Sequence, residues 1–506
     1  MIAHLNSATL VGLSSIPVRI ECEAGPGLPA FSIVGLPDGA VRESRDRILS
    51  ALRHTGHRLP PRRITANLAP SDLRKAGTGF DLPLALAVLS ACEQIFPRQG
   101  EIDRVFVGEL GLDGGIRPVR GALALAMGLA EAGIHRIAVP SGNLREVMVV
   151  PGLDIVGLTD FEEAVRLLED GICPDPVAPP ASPGVDRGIP DMADVVGQEA
   201  AKRALVVAAA GGHNLLMEGP PGSGKTLLAR RLPGILPPLG DWERLEVSRI
   251  HSVAGLLDPG SALIPDRPFR APHHSASMAA LVGGGPYARP GEVSLAHNGI
   301  LFLDELAEFP RHVLESLRQP LEDGEILVCR AQIAVRFPCR CQVVAATNPC
   351  PCGHHGDRLR PCICTPLSRE RYRSRLSGPL LDRMDIHLEV QAVAPEDLTR
   401  RSGGMDSAAM RGMVLDATRH RQARGGLLPN SVLGGKSLAE ACDLREEGSK
   451  FLGQALGRLG LSARSHDRIL RVARTIADLE GMPRVELSHL AEAVAYRLPD
   501  RSAAVR

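Results

Sequence analysis

The 506-residue sequence predicts a multidomain protein: an α+β domain first, then an α/β core, then an all-α domain. Three observations predict this order. A glycine-rich phosphate-binding motif lies near the middle of the chain, between an apolar run and a helical run. A proline-rich segment separates this motif from the N-terminal third. Beyond about residue 395, apolar residues recur at helical spacing.

The proline-rich segment is the linker between the first domain and the core. It contains the run GICPDPVAPPASPG, which can neither continue a helix nor pair in the centre of a sheet. We therefore expect an α+β domain over residues 1–170, a linker over 171–193, the α/β core over 194–395 and the helical domain over 396–506.

The triphosphate site is predicted by the run GPPGSGKT, which fits the phosphate-loop pattern Gly-x4-Gly-Lys-[Ser/Thr]. In such a loop the backbone N–H groups surround the phosphates. Lys225 would reach the β- and γ-phosphate oxygens, and the Thr226 hydroxyl would bind Mg²⁺. The predicted ATP-binding residues are Gly219, Pro220, Pro221, Gly222, Ser223, Gly224, Lys225 and Thr226.

Two later apolar runs end in polar residues that suit ATP hydrolysis. The run GILFL is followed by Asp304 and Glu305, and the run QVVAAT is followed by Asn348. At the end of a buried parallel strand, Asp304 can hold Mg²⁺, while Glu305 can polarise the attacking water. Asn348 can orient that water. Because the carboxyl ends of parallel strands meet at one edge of a sheet, the three residues predict a hydrolytic site there.

Six of the eleven cysteines lie between residues 339 and 364, and four of them form two Cys-x-Cys pairs. Two such pairs, nine residues apart, can close a loop over a tetrahedral Zn²⁺, with the nearby His354 and His355 as substitute ligands. The alternative is a set of reduced thiols in an irregular loop. Bound zinc would be structural, because the loop begins just after Asn348. The paired cysteines are Cys350, Cys352, Cys362 and Cys364.

Composition limits where the protein works and what it binds. No run reaches eighteen consecutive apolar residues, and the N-terminus lacks a basic region followed by an apolar core. We therefore expect a soluble, cytoplasmic protein with no membrane partner. The formal net charge is zero, so any nucleic acid must be bound by local basic patches. Aromatic residues make up only 3% of the chain, which argues against a stacking platform for single strands.

Three further motifs, together with the ATP site, resemble the magnesium-chelatase branch of the AAA+ ATPases. They are RPFRAPHHS at 267–275, GEVSLAHNG at 291–299 and SGPLLDRMD at 377–385. The likeness extends to both flanks, so the chain is identified as a member of the ComM/YifB family of competence-type ATPases. The resemblance implies an AAA+ P-loop core, an all-α C-terminal lid and a Lon-protease-like N-terminal domain with the ribosomal S5 domain 2-like fold.

The N-terminal domain resembles the Lon-type protease domain without its chemistry. That domain uses a Ser-Lys dyad, whose nucleophile position falls near Gly79 and whose lysine position falls near Leu123. Neither residue can act as nucleophile or base, and the neighbouring Thr78 lacks a partner lysine. We expect a peptidase-inactive domain, which is either a substrate-engaging or ring-forming module or a purely structural one.

The resemblance also implies two arginines that act on the γ-phosphate. Arg383 matches the arginine finger that reaches the ATP of a neighbouring subunit, and Arg464 matches the second sensor of nucleotide state. A finger supplied in trans makes hydrolysis depend on a ring, and proteins of this kind are usually hexamers.

The activity implied by the resemblance is that of an ATP-driven motor on branched or single-stranded DNA. It would be a branch-migration helicase in homologous recombination and natural transformation. The alternative is a chelatase-like remodelling ATPase with a protein partner, and Gly79 and Leu123 disfavour an ATP-dependent protease. Candidate DNA contacts lie in two segments that are pore insertions in related proteins: Arg267, Arg270, His273 and His274 in the first, and Arg330 in the second.

Overall fold

The computed structural model describes residues 2–174, 188–258, 262–285, 288–330, 333–357, 360–376, 378–393, 404–459 and 463–497. Its strands are β1 Ile2–Val11, β2 Ser14–Gly25, β3 Ala30–Val34, β4 Arg63–Ala69, β5 Val105–Phe106, β6 Glu109–Leu110, β7 Ile116–Arg117, β8 Arg136–Pro140, β9 Asp154–Leu158, β10 Leu215–Glu218, β11 Phe269–Arg270, β12 Gly283–Gly284, β13 Arg289–Pro290, β14 Ile300–Leu303, β15 Glu325–Arg330, β16 Ile333–Pro338, β17 Gln342–Thr347 and β18 Ile386–Glu389.

The α-helices are α1 Gly39–His54, α2 Asp81–Ala91, α3 Ala122–Glu131, α4 Leu144–Val147, α5 Phe161–Asp170, α6 Glu199–Gly211, α7 Lys225–Arg231, α8 Asp241–Ala254, α9 Met278–Val282, α10 Glu292–Leu295, α11 Arg311–Ser316, α12 Arg318–Asp323, α13 Pro366–Arg373, α14 Gly378–Leu381, α15 Ser407–Ala423, α16 Gly435–Cys442, α17 Glu446–Leu459, α18 Ala463–Leu479 and α19 Leu487–Ala495. No helix of the described ranges is long and apolar enough to cross a membrane.

The N-terminal part of the chain is built on a mixed seven-stranded sheet in the order β3-β4-β2-β1-β5-β8-β9. The pairs β1–β2 and β2–β4 are antiparallel, and the remaining pairs are parallel. All eleven residues of α2 are buried, which explains why every residue of this helix except Asp81 and Ser90 is apolar. The mixed sheet and its helices agree with the predicted α+β class, whereas the likeness to Lon stays a prediction.

The middle of the chain contains a five-stranded parallel sheet in the order β11-β14-β17-β10-β18. Every residue of β14 and β17 is buried, so β14 and the four inner residues of β17 form continuous apolar runs rather than alternating ones. The predicted parallel sheet is confirmed. Strand β17 lies between β10 and β14, and this order brings the three strand ends of the predicted ATP site together.

The described residues after 404 form five helices, and these helices pack against the parallel sheet domain. Val206 of α6, Ile300 of β14 and Ile476 of α18 belong to one apolar core. Buried His213 joins the two parts, since its Nε2 lies 2.7 Å from Thr475 Oγ1 and its Nδ1 lies 3.3 Å from Asp385 Oδ2. The helical C-terminal region is confirmed. The predicted boundary near residue 395 and residues 175–187 of the predicted linker lie outside the described residues.

Two of the contacts between the N-terminal sheet domain and the middle of the chain involve a tight turn and a buried carboxylate. In the turn between β1 and β2, Gly12 has φ +64°, and a Cβ at this position would overlap the Val335 side chain of β16. The same turn accepts hydrogen bonds at the Leu13 carbonyl from Arg249 of α8. At the second contact, Ser252 Oγ donates to Glu146 Oε2 at 2.7 Å. Burial raises the pKa of the Glu146 carboxyl.

Candidate ATPase site

The phosphate loop begins at the end of β10 and leads into α7. Gly222 and Gly224 have φ values of +78° and +91°, which only glycine adopts without strain. A Cβ on Gly219 would overlap the Val390 carbonyl oxygen just after β18. The glycines of the motif are thus required by the backbone and by the neighbouring strand end, independently of any ligand.

Lys225 is the first residue of α7, and its side chain reaches back to the loop. Its Nζ donates to the carbonyl oxygens of Gly219 at 2.7 Å and Pro220 at 2.9 Å, and it lies 3.3 Å from Asn348 Oδ1. Burial lowers the pKa of this ammonium, although the charges of Asp304 and Glu218 oppose the effect. The structure therefore brings together the loop lysine and the predicted sensor, which are far apart in the sequence.

Ser223 gives an independent sign that the loop binds an anion. Its Oγ is buried and has no hydrogen-bond partner among the described residues. An unpaired buried hydroxyl is costly, and buried polar groups in native proteins are generally satisfied by protein, water or ligand. A phosphate oxygen over the loop would accept this hydrogen bond. Ser223 is among the predicted ATP-binding residues, and the structure adds that its hydroxyl is a buried donor without a partner in the described part of the chain.

Thr226 and Asp304 supply adjacent oxygen atoms that fit Mg²⁺. The Thr226 hydroxyl donates to Asp304 Oδ2 at 2.7 Å across the edge of the sheet. Hydroxyl and carboxylate oxygens are the ligands that Mg²⁺ prefers. The residues present therefore fit the ion that the phosphate loop implies.

Glu305 occupies a strained position next to these ligands. Its φ is +52°, which is unusual for a residue with a side chain, and its N–H donates to Asp304 Oδ1 at 3.0 Å. The carboxylate is about half exposed, and its Oε2 lies 3.2 Å from His274 Nδ1. The sequence predicted His274 only as a DNA contact and did not predict its contact with Glu305. The motif that contains His274 surrounds β11, the strand beside β14, and this placement could have indicated that His274 lies near Glu305.

The two arginines predicted to act on the γ-phosphate differ in exposure, since Arg383 is largely covered and Arg464 is exposed. The Arg383 guanidinium pairs with Glu322 of α12, and only 15% of its side chain is exposed. Its backbone carbonyl accepts a hydrogen bond from Asn214 at 3.1 Å. Arg464 is exposed in the first turn of α18. The roles of both arginines on a γ-phosphate stay predictions.

Arg267 and Arg270 have structural partners in the single chain. Arg267 donates to Pro237 O at 2.7 Å and to Asn298 O at 2.6 Å, and it pairs with Glu243. Arg270 forms a bidentate pair with Glu292, at 2.6 and 2.7 Å, which raises the pKa of its guanidinium. These contacts hold the segment around β11 in place, and a role in DNA binding stays a prediction for both arginines.

The remaining DNA candidates are two neighbouring histidines and one arginine of a hairpin. His273 Nδ1 lies 2.7 Å from Ser275 Oγ, and the ring centroids of His273 and His274 are 4.1 Å apart. Arg330 is the last residue of β15, which pairs with β16 in an antiparallel hairpin. The predicted hairpin is therefore present, and its contact with DNA stays a prediction.

The four paired cysteines come together in the loop after β17. Their four Sγ atoms all lie within 4.8 Å of one another. The two histidines considered as substitute ligands have other partners: His354 Nδ1 lies 2.8 Å from Asp357, and His355 Nδ1 lies 2.8 Å from Arg369 Nη1. The cluster therefore offers four sulfur ligands.

In the N-terminal domain, the two positions of a Ser-Lys dyad are used for packing. A Cβ at Gly79 would lie 3.2 Å from Val107 and 3.6 Å from Val119, and Leu123 is completely buried in α3. The Thr78 hydroxyl donates to the Glu109 carboxylate. This placement agrees with the expectation of a domain without peptidase chemistry, which stays a prediction.

Comparison with known protein families gives three matches that follow one another along the chain. Residues 20–143 match the family described as subunit ChlI of Mg-chelatase. Residues 191–398 match magnesium chelatase, subunit ChlI, and residues 404–497 match the C-terminal region of that subunit. The matches therefore cover the central part of the N-terminal domain, the ATP site and the C-terminal helices.

Among individual relatives, YifB of Salmonella typhimurium is 43% identical over 508 residues, which cover 99% of this chain and 98% of the relative. Competence protein ComM of Haemophilus influenzae is 42% identical over 511 residues, with coverage of 98% and 97%. The magnesium-chelatase 38 kDa subunit of Cereibacter sphaeroides is more distant, at 27% identity over 331 residues, 61% of this chain and 90% of the relative.

Proposed function

We propose, because this chain belongs to the ComM/YifB family of magnesium-chelatase-like AAA+ ATPases, that it hydrolyses ATP in a homo-hexameric ring and uses the energy to move DNA strands. The observation that carries the ATPase assignment is the convergence of Lys225, Thr226, Asp304 and Asn348 at one sheet edge. The name of the Haemophilus relative, competence protein ComM, supports a role in competence. Within that role, we propose that the motor acts on DNA during natural transformation and homologous recombination. Such a motor would act in the cytoplasm.

The residues of the site have separate tasks. On ATP binding, Lys225 exchanges the loop carbonyls for β- and γ-phosphate oxygens, and the Ser223 hydroxyl gains an acceptor. Thr226 and Asp304 would hold Mg²⁺, which would neutralise charge on the phosphate oxygens. Glu305 polarises the attacking water, and Asn348, already beside Lys225, orients it.

Release of Glu305 from His274 provides a physical route from DNA to hydrolysis. Glu305 cannot polarise a water fully while its carboxylate also contacts the His274 ring. His274 lies in a segment that we propose to contact DNA. A DNA phosphate that draws the imidazole away would free the carboxylate, so DNA binding would raise the rate of hydrolysis.

In the proposed ring, a neighbouring subunit supplies a further residue to each ATP site. In a hexamer, Arg383 would leave Glu322 for the γ-phosphate bound by the next subunit, and Arg464 would report nucleotide state to the helical lid. DNA would be tracked through its phosphates by the hairpin of β15 and β16. Exposed Arg336 lies in this hairpin, and Arg330 is the last residue of β15.

The test is ATP turnover by the purified protein without DNA and with single strands, duplex and four-way junctions. We expect stimulation to be greatest with branched DNA, together with ATP-dependent movement of the junction. Turnover that no form of DNA changes would contradict the proposal. Stimulation by a protein partner alone would favour a chelatase-like remodelling ATPase, the alternative suggested by the 38 kDa relative.

A further inference from the structure

The four-cysteine cluster has the spacing of a tetrathiolate metal site. The Sγ atom of Cys350 lies 3.4 Å from that of Cys352 and 3.7 Å from that of Cys362, and Cys352 and Cys362 are 3.7 Å apart. In a tetrahedral site with Zn–S bonds of about 2.3 Å, neighbouring sulfurs lie about 3.8 Å apart. A disulfide would need about 2.05 Å, so the cluster is not a set of crosslinks.

The polypeptide around the cluster supports metal ligation. The Cys352 N–H points to Cys364 Sγ at 3.4 Å, which is the kind of contact that stabilises a metal-bound thiolate. Cys350 is completely buried, whereas the other three are partly exposed, so an ion has an entry path to the cluster. Apolar packing alone does not explain why four cysteine side chains from two separate loop segments converge on one point.

The loop that carries the cysteines touches the ATP site at two places. Cys350 follows Asn348 by two residues, so its position controls the end of β17. Gly353 packs against Pro221 of the phosphate loop so closely that a Cβ would overlap the proline ring. On the far side, Thr365 follows Cys364 directly and caps α13, since its Oγ1 accepts from Ser368 N at 3.2 Å.

We propose that Cys350, Cys352, Cys362 and Cys364 bind one structural zinc ion. In this proposal the loop that carries these cysteines also supports the phosphate loop, through the contact of Gly353 with Pro221. On zinc binding each thiol loses its proton, and four thiolates around Zn²⁺ give a site of net charge −2. The second half of the proposal rests on the proposed function of the phosphate loop in ATP binding, whereas the metal site does not.

Metal content tests the site itself. Protein purified without chelator should contain about one zinc per chain, and the double variant Cys350→Ser, Cys362→Ser should contain none. Cys173→Ser, which removes an exposed cysteine outside the cluster, is the matched control and should keep its zinc. Replacement by Co²⁺ should give the strong visible absorption of a tetrahedral thiolate site. Absence of zinc from the wild-type protein, with no Co²⁺ spectrum after reconstitution, would overturn the proposal.

Two glycines test the connection to ATP. Gly353 and Gly356 both have φ +83°, but a Cβ at Gly356 meets nothing within 4 Å. Gly353→Ala and Gly356→Ala therefore carry the same backbone strain, and only the first disturbs Pro221. Both should keep zinc, while Gly353→Ala should weaken ATP binding roughly tenfold, measured without DNA. Equal ATP affinity in the two variants would overturn the supporting role. If the wild-type protein bound zinc but no ATP, the proposed function alone would fail.

Discussion

Replacing His274 by alanine should raise ATP turnover in the absence of DNA. His274 Nδ1 lies 3.2 Å from Glu305 Oε2, and the imidazole also packs edge-on against the Phe309 ring at 6.5 Å. The variant leaves the phosphate loop, Thr226 and Asp304 in place. It removes the group that competes with water for the Glu305 carboxylate, together with the ring contact to Phe309.

The size of the effect follows from the exposure of the pair. The side chains of His274 and Glu305 are 35% and 54% exposed, so solvent screens their interaction strongly. Pairs of this kind contribute roughly 0–1 kcal/mol. The upper end corresponds to a roughly fivefold change in the population of free Glu305. We therefore expect kcat without DNA to rise about two- to fivefold, with KM unchanged, and stimulation by DNA to shrink by a similar factor.

Steady-state ATP hydrolysis, with and without a four-way junction, measures both quantities. His273→Ala is the matched control, because His273 lies in the same segment but contacts Ser275 instead of Glu305. Its turnover without DNA should equal that of the wild type. A fall in DNA-free kcat for His274→Ala would refute the reasoning, since it would mean that His274 assists the reaction.

Three further predictions concern the site and the fold. Lys225→Ala should abolish ATP binding, whereas Glu305→Gln should bind ATP without turnover; equal turnover in Glu305→Gln and wild type would defeat the assignment. Arg383→Ala subunits should bind ATP but be inactive alone, and mixing them with Lys225→Ala subunits should restore part of the activity; mixed rings without rescue would exclude a finger in trans. Burial and the charge of Arg497 lower the pKa of His387 to about 4. The pKa of His387 is lower in the folded than in the unfolded protein, so the neutral imidazole favours the folded state. The free energy of unfolding keeps this term in full above about pH 6.5 and loses about 3 kcal/mol as the pH falls towards 4. Chemical denaturation should show that the free energy of unfolding falls less on acidification in His387→Gln than in the wild type. An equal fall in the two proteins would contradict the role of His387.

The sequence by itself determined the parts of the site that are contiguous in the chain. The phosphate loop could be read directly, because its glycines, Lys225 and Thr226 occupy fixed positions in one short turn between a strand and a helix. Asp304, Glu305 and Asn348 could be read because buried parallel strands are short apolar runs whose polar ends are conspicuous. The helical C-terminal region followed from its periodicity.

Only the tertiary structure decided which of these residues meet. Strands that are apolar on both faces bury similar area in any order, so the apolar pattern does not encode the position of β17 between β10 and β14. That order puts Asn348 beside Lys225. For the same reason, the sequence did not predict the contact of His274 with Glu305 or the hydrogen bonds that Arg267 donates to backbone carbonyls. Such contacts depend on side-chain direction and on the approach of distant segments, which local sequence patterns do not specify.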